Sequence, residues 1–179
     1  LEQQGAHVAH SVDEVKDGTL IIRAHGVAPQ VKQAAEDAGL HVVDATCPFV
    51  KRVQDHARSL YGDGYQVVIV GEAGHPEVEG ILGCTDGKAC IVNSAQQVEL
   101  LDISSRVGVV VQTTQTSKNL REVVDALLLR AREVRVFDTI CSATNERQEA
   151  ARALAATCDL MLVIGGRNSG NTRRLFQIC

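Results

Sequence analysis

Short apolar runs rich in β-branched residues alternate along this sequence with segments of helical periodicity. The clearest helical pattern spaces Leu120, Val123, Val124, Leu127 and Leu128 at i, i+3, i+4, i+7 and i+8. Continuous apolar strands between amphipathic helices are typical of parallel sheets covered on both faces. The sequence therefore predicts an α/β fold, with strands at residues 19–24, 41–45, 66–71, 89–92, 106–111, 134–137 and 160–164.

The chain also resembles itself when it is shifted by 94 residues, the separation of Cys47 and Cys141. Such a repeat indicates two related structural units. The shift places His75 on Ser169 and Glu77 on Asn171, so polar groups recur at matching positions. The identities in this register comprise Asp44, Cys47, Gln54, Ala57, Arg58, Leu60 and Gly71 on Asp138, Cys141, Gln148, Ala151, Arg152, Leu154 and Gly165.

Cys47 and Cys141 each follow a predicted strand and precede a predicted helix. Backbone N–H groups and the helix dipole favour a thiolate at such a turn. Two thiolates at equivalent positions suit a soft metal centre better than two independent nucleophiles. The other four cysteines have no partner in the repeat, and we interpret them as core or surface residues: Cys84, Cys90, Cys158 and Cys179.

Hydrogen-bonding residues follow six of the seven predicted strands, at the edge where parallel sheets bind ligands. His25, His75, Ser169 and Asn171 are the donors that an anion needs at a helix N-terminus, although Ser169 and Asn171 could equally be helix caps. Glu77, two residues after His75, is a candidate proton donor or a simple first-turn acid. These residues predict a site shared between the two units.

Composition excludes several functional classes. A net charge of -4, 3% aromatic residues and no Trp argue against a nucleic-acid partner. The apolar runs are too short for a membrane span, and we expect no signal peptide. Six scattered cysteines without CxxC pairs favour the reducing cytoplasm over a disulfide scaffold. With Met161 as its only methionine, the chain is expected to be an internal fragment that begins and ends in helices.

Six motifs in this order and spacing make the whole chain resemble the 4-hydroxy-3-methylbut-2-enyl diphosphate reductase family, also called LytB. Gly74-His75-Pro76-Glu77-Val78-Glu79-Gly80 is the most distinctive of them. The other five are Ala24-His25-Gly26-Val27, Asp44-Ala45-Thr46-Cys47-Pro48, Gln112-Thr113-Thr114-Gln115-Thr116, Asp138-Thr139-Ile140-Cys141 and Asn168-Ser169-Gly170-Asn171-Thr172.

This resemblance implies a pseudo-threefold trefoil of similar α/β domains around a [4Fe-4S] cluster, with one cysteine from each domain. Residues 1–46 would end the first domain, residues 47–136 form the complete middle domain, and residues 137–179 begin the third. Cys47 and Cys141 would be two cluster ligands, and the third cysteine would lie outside this chain.

The resemblance also implies roles for the polar residues. His25, His75, Ser169, Gly170 and Asn171 would bind the substrate diphosphate, Gly170 through its N–H because many members have Ser there. Glu77 would protonate the leaving hydroxyl, with Thr113 and His75 beside it. The reaction would be the reductive dehydroxylation of an allylic diphosphate to isopentenyl and dimethylallyl diphosphates, the last step of the non-mevalonate isoprenoid pathway. A ferredoxin, a flavodoxin or another small reductase would supply the electrons.

Two alternatives remain open on the residues alone. A metal-free hydrolase or transferase could pair Cys47 with His25 or His75, but this leaves Cys141 and the repeat without a role. A non-catalytic anion-binding module would make the cysteines core residues and the polar turns caps. We expect the 179-residue chain by itself to be inactive, because only two cluster ligands are placed in it.

Overall fold

The computed structural model describes residues 2–166 and 169–179, in which six strands and seven α-helices alternate. The strands are β1 (Thr19–Ile22), β2 (His41–Asp44), β3 (Gln66–Val70), β4 (Cys90–Val92), β5 (Arg106–Val111) and β6 (Glu133–Phe137). The helices are α1 (Pro29–Asp37), α2 (Pro48–Gly62), α3 (Pro76–Gly83), α4 (Ala95–Val98), α5 (Ser117–Leu128), α6 (Ser142–Ala155) and α7 (Gly170–Ile178). Two 3-10 turns, Glu2–Gln4 and Val12–Glu14, precede β1. The sequence predicted the end of a helix at the start of the chain, and Leu1 of that segment lies outside the described residues.

The strands form two parallel sheets. The smaller sheet pairs β1 with β2, in a register that sets Thr19 beside His41. The larger sheet has the order β4-β3-β5-β6, with Val68 beside Val109 in its centre. The predicted α/β class with parallel sheets is therefore confirmed.

Both faces of the larger sheet are covered by helices. Val67 and Ile69 of β3 pack into one apolar cluster with Leu60 of α2 and Ile81 of α3. Val68 and Val70 point to the opposite face, where the cluster includes α5 residues such as Leu127. Because successive strand residues face opposite sides, burial of both faces explains the continuous apolar runs. Each such buried side chain contributes about 1.5–3 kcal/mol to folding.

Gly108 in the middle of β5 leaves room for a core side chain. A Cβ added there would lie 2.6 Å from Cδ2 and 2.7 Å from Cδ1 of Leu60, which is fully buried and has no space to move. We therefore expect Gly108→Ala to lower the free energy of unfolding by about 1–3 kcal/mol through overpacking. Urea denaturation followed by circular dichroism measures this change. Gly62→Ala at the end of α2 is the matched control, because a Cβ there meets nothing within 4 Å; an equal loss in both variants would contradict the packing argument.

The prediction of a strand at residues 160–164 is wrong. The segment is irregular, and the side chains of Leu160, Leu162 and Ile164 are largely exposed. A strand needs a neighbour for its backbone N–H and C=O groups, and none of the six strands in the described part of the chain pairs with this segment. β-propensity alone therefore did not determine its conformation.

No helix among the described residues combines the length and the apolar character required to cross a membrane.

Candidate active site

The two repeated cysteines occupy equivalent structural positions. Cys47 is the N-cap residue of α2 and Cys141 is the N-cap residue of α6. The N–H of Cys47 donates to the carbonyl of Ala24, just beyond β1, and the N–H of Cys141 donates to the carbonyl of Thr113, just beyond β5, both over 3.0 Å. Each cysteine is thus fixed at the carboxyl end of two paired strands.

The turn before each cysteine is also the same in both copies. Asp44 accepts a hydrogen bond on Oδ1 from the N–H of Thr46 at 3.0 Å, and Asp138 accepts one on Oδ1 from the N–H of Ile140 at 3.1 Å. An aspartate that bonds the backbone two residues further on forms a compact turn of this kind. The repeat found in the sequence therefore corresponds to a repeated strand–turn–helix geometry.

The starts of α2 and α6 face a common pocket of about 220 Å³. Phe49 and Arg52 line it from α2, and residues 138–140 with Ser142 line it from the other side. Both cysteines are free thiols of intermediate exposure, and neither belongs to the two apolar clusters described above. Thiols in this setting are chemically suited to iron–sulfur ligation. Among the described residues, however, no three His, Cys, Asp or Glu side chains are grouped closely enough to hold a metal ion.

Glu77 and Thr113 form a buried polar contact at this edge. Thr113 donates its N–H to Glu77 Oε1 over 2.7 Å and its hydroxyl to Glu77 Oε2 over 2.8 Å. The carboxyl group of Glu77 belongs to a residue that is only 2% exposed. Burial raises the pKa of Glu77, and the two bonds from Thr113 lower it without cancelling that effect. Glu77 thus keeps a proton to higher pH than an exposed glutamate.

His75 caps α3 with its ring. Its Nδ1 accepts the N–H of Glu77 over 3.1 Å, so the proton of the neutral ring resides on Nε2. Burial lowers the pKa of His75, and the neighbouring His25 lowers it further. The ring is therefore a neutral donor through Nε2. The sequence analysis did not identify this capping role.

His25 lies against His75, with the ring centroids 5.5 Å apart and the planes at 78°. Burial lowers the pKa of His25 as well, with a smaller effect from Arg23. His25 directly follows Ala24, whose carbonyl accepts the N–H of Cys47. His75 in turn accepts the N–H of Glu77. A continuous series of contacts therefore connects the turn of Cys47 with the turn of Cys141, through the two histidines, Glu77 and Thr113.

The N-terminus of α7 lies beside His75. A Cβ added at Gly170 would be 3.5 Å from His75 Nε2 and 3.2 Å from Thr114 Oγ1, so the backbone of Gly170 approaches both closely. Ser169 caps α7 by accepting the N–H of Thr172 on Oγ at 3.2 Å, which leaves its hydroxyl proton free to donate. Oδ1 of Asn171 is buried without a hydrogen-bond partner. Asn168, the remaining residue of this motif, lies outside the described residues.

Gln112 belongs to one of the six motifs, but its sequence context indicated no role of its own. Its side chain is fully buried and joins two loops, because Oε1 accepts the N–H of Glu72 over 2.9 Å and Nε2 donates to Thr114 Oγ1 over 3.0 Å. The signal in the sequence was a polar residue directly after an entirely apolar strand. Such a residue must find its partners within the protein.

A further cavity of about 380 Å³ lies elsewhere, between α1 and α2, and contains none of the predicted site residues. Its ionic centre is Asp44, which contacts Lys51 at 3.0 Å. The hydrogen bond from the Thr46 hydroxyl, followed by Lys51, lowers the pKa of Asp44 to about 2. This carboxylate already has its partners, so we assign the cavity no role.

Solved structures resemble this one closely. A structure of the E-1-hydroxy-2-methyl-but-2-enyl-4-diphosphate reductase from Plasmodium falciparum aligns with a TM-score of 0.91 and 28% identity, covering 99% of this chain and 57% of that one. A structure of (E)-4-hydroxy-3-methyl-but-2-enyl diphosphate reductase, described as the terminal enzyme of the non-mevalonate pathway, aligns with a TM-score of 0.67 and 45% identity, covering 89% of this chain and 58% of that one.

Curated relatives are similar along the whole of this chain. The 4-hydroxy-3-methylbut-2-enyl diphosphate reductases of Pelobacter propionicus and Citrifermentans bemidjiense are 50% and 52% identical to it over 179 and 180 residues. The chain covers 64% of the length of each. The model of the family described as LytB protein matches residues 1–179. Because this match spans every residue, the chain belongs to the LytB protein family.

Proposed function

We propose that this chain is part of a 4-hydroxy-3-methylbut-2-enyl diphosphate reductase. The enzyme would convert its allylic diphosphate alcohol to isopentenyl and dimethylallyl diphosphates. The observation that carries this proposal is the position of Thr113, which donates two hydrogen bonds to the buried Glu77 and accepts one from the N–H of Cys141. Thr113 thereby links a carboxyl group that can hold a proton to the backbone of Cys141, a candidate cluster ligand.

The diphosphate would bind between His75 and the start of α7. Nε2 of His75 is a neutral donor, and the backbone of Gly170 approaches it closely. The hydroxyl of Ser169 and the amide of Asn171 add further donors, and a helix N-terminus favours an anion. His25 would extend the same surface from the other unit. These groups bind the phosphate oxygens and orient the allyl alcohol toward Glu77.

Cys47 and Cys141 would hold a [4Fe-4S] cluster. Their free thiols and their equivalent turns, beside a pocket lined by the first turns of α2 and α6, support two positions of such a site, and the third ligand would come from the part of the protein that this chain does not cover. When bound, the cluster would supply electrons and a Lewis-acidic iron. The electrons would reach it from a ferredoxin, a flavodoxin or another small reductase.

Glu77 would act as the general acid. As the carbon–oxygen bond of the substrate breaks, Glu77 donates its proton to the departing hydroxyl, which leaves as water. Two electrons and a second proton, which adds to carbon, complete the balance of the reaction. Thr113 holds the carboxyl group with two hydrogen bonds, because its N–H donates to Oε1 and its hydroxyl donates to Oε2.

We propose the domain organisation on the same basis. Residues 1–46 would close the first domain, residues 47–136 form the middle one, and residues 137–179 begin the third. The larger sheet supports this division, because its strands run from β3 to β6, which ends at Phe137. We also propose a cytoplasmic location, where cysteines stay reduced.

Anaerobic expression of the full-length protein tests the function. We expect a brown protein with the broad absorbance at about 400 nm that is typical of thiolate-ligated iron, and substrate-dependent oxidation of a reduced viologen dye. A colourless protein that binds or hydrolyses phosphate esters would favour a metal-free site instead.

The raised pKa of Glu77 predicts the pH dependence of the reaction. Only the protonated acid can donate, so kcat/KM should fall as the pH rises through the pKa of Glu77, which burial raises above that of an exposed glutamate. The remaining rate of Glu77→Gln should lack this decline. Measuring kcat/KM of both proteins between about pH 5 and 9 checks this. The same alkaline decline in both would assign it to another group.

A further inference from the structure

We infer that the ion pair between Glu72 and Arg173 is a positioning tie that holds the two halves of the diphosphate site at a fixed separation. Nη1 of Arg173 donates to Oε2 of Glu72 over 2.9 Å, across 101 residues of sequence. Glu72 lies in the turn that carries His75, and Arg173 lies in the first turns of α7. This inference rests on the proposed function, because it concerns the same phosphate donors.

Glu72 is firmly connected to His75. Its carbonyl accepts the N–H of His75 over 3.1 Å, and its own N–H donates to the buried Gln112 over 2.9 Å. The backbone of Glu72 is therefore fixed both to the larger sheet and to the turn that starts α3. A force applied to the carboxylate of Glu72 acts on the turn that presents the Nε2 donor.

Arg173 is connected in the same way to the donors of α7. Its N–H donates to the carbonyl of Ser169 over 3.0 Å, the first hydrogen bond of the helix. The guanidinium therefore projects from the helical turn that begins with Ser169 and contains Asn171. When Arg173 binds Glu72, this turn is held at the distance at which Gly170 meets His75.

A second contact keeps α7 in place when the tie is removed. Nη2 of Arg174 donates to Oε1 of Gln115, a residue that is 1% exposed, over 3.4 Å. Loss of the Glu72–Arg173 pair should therefore widen the site rather than detach the helix. The side chains of the pair are 23% and 50% exposed, so its strength is that of a partly solvated ion pair and should depend on salt.

The charges of the pair make the inference testable. Removing the negative charge of Glu72 should strengthen anion binding if only electrostatics matters. A positioning tie predicts the opposite, because the donors of His75 and Ser169 no longer converge. Glu72→Gln and Arg173→Gln should then both weaken binding. The double variant should be no weaker than either single one, because all three lack the same contact.

The experiment titrates inorganic pyrophosphate into the full-length protein by isothermal calorimetry. We expect Glu72→Gln and Arg173→Gln each to raise the Kd about three- to fivefold, and Arg173→Lys to raise it less because a cation remains. With substrate, KM should rise similarly while kcat stays within about twofold, since Glu77 and Thr113 are untouched. The matched controls Lys118→Gln and Glu122→Gln remove charges from an exposed pair on α5, 3.8 Å apart, and should change nothing.

Three results would overturn the tie: tighter or unchanged pyrophosphate binding in Glu72→Gln, additive losses in the double variant, or a weakening confined to Arg173→Gln. The last would mean that Arg173 contacts the phosphate directly. Melting temperatures within a few degrees of wild type, expected for a partly solvated ion pair, exclude unfolding as the cause. A wild-type protein that binds no pyrophosphate would instead refute the proposed function.

Discussion

Glu77→Gln should abolish most turnover while leaving substrate binding intact. Glutamine keeps the shape of the side chain and still accepts the N–H of Thr113, but it has no proton to transfer to the leaving hydroxyl. Removal of a general acid typically costs about 10²–10⁴-fold in rate. Single-turnover oxidation of the reduced full-length enzyme, together with pyrophosphate titration, measures both effects.

Thr113→Val is the companion variant for this test. It removes the hydroxyl that donates to Oε2 of Glu77 but keeps the backbone bond to Oε1. We expect a smaller loss of rate than in Glu77→Gln, because the acid is still present and still buried. If Glu77→Gln turned over at a near-normal rate, Glu77 would be a capping residue of α3 and the proton would come from elsewhere.

Cys47→Ser and Cys141→Ser should each lose most of the iron. The two cysteines are N-cap residues of helices at equivalent turns, so the removal of either thiol should affect the cluster in the same way. We expect iron per chain below about one tenth of wild type after anaerobic purification, because an iron that loses a thiolate must bind water or a foreign donor. The absorbance of thiolate-ligated iron at about 400 nm should fall in parallel.

Cys158→Ser is the matched control for the cluster experiment. Cys158 is exposed and has no counterpart in the repeat, so the iron content of the Cys158→Ser protein should equal that of wild type. Normal iron in Cys47→Ser, or a loss in Cys158→Ser, would mean that the repeat does not identify the ligands. Circular dichroism of each apoprotein distinguishes loss of iron from loss of fold.

Strands with both faces buried were predictable because their sequences leave few alternatives. Val107 to Val111 has no polar residue that could face solvent, and it is the central strand β5. The run at residues 160–164 looks equally apolar, yet it is irregular because a strand also requires a partner. The apolar composition of a segment indicates that the segment must be buried. Whether it forms a strand also depends on a neighbouring strand that can pair with it.

The turns around the cysteines were predictable from the repeat. Asp44 and Asp138 bond the backbone two residues further on in both copies, so similar sequences produced similar local structure. The capping bond of His75 was not predictable, because imidazole is a rare cap and its ring orientation depends on packing. The roles of His25, Ser169, Gly170 and Asn171 in diphosphate binding remain predictions.

Contacts between distant segments were beyond the reach of the sequence. Glu72 and Arg173 each look like ordinary surface charges, and nothing local indicates that they meet. Gln112 reads as part of a polar turn, and only the fold shows that it joins two loops. Contacts between distant residues depend on the order and register of the strands, whereas the sequence indicated only the class of fold.

The bonds around Thr113 have a mechanical consequence. Its N–H and its C=O hold Glu77 on one side and Cys141 on the other, so only the two backbone torsions of one buried residue separate these bonds. By contrast, the Glu72–Arg173 contact toward α7 involves long side chains that water can reach. We therefore expect thermal motion to separate Glu72 from Arg173 more readily than Glu77 from the backbone of Cys141. If the proposed diphosphate binds here, the end of the cleft at Glu72 and Arg173 is the one that would open for it.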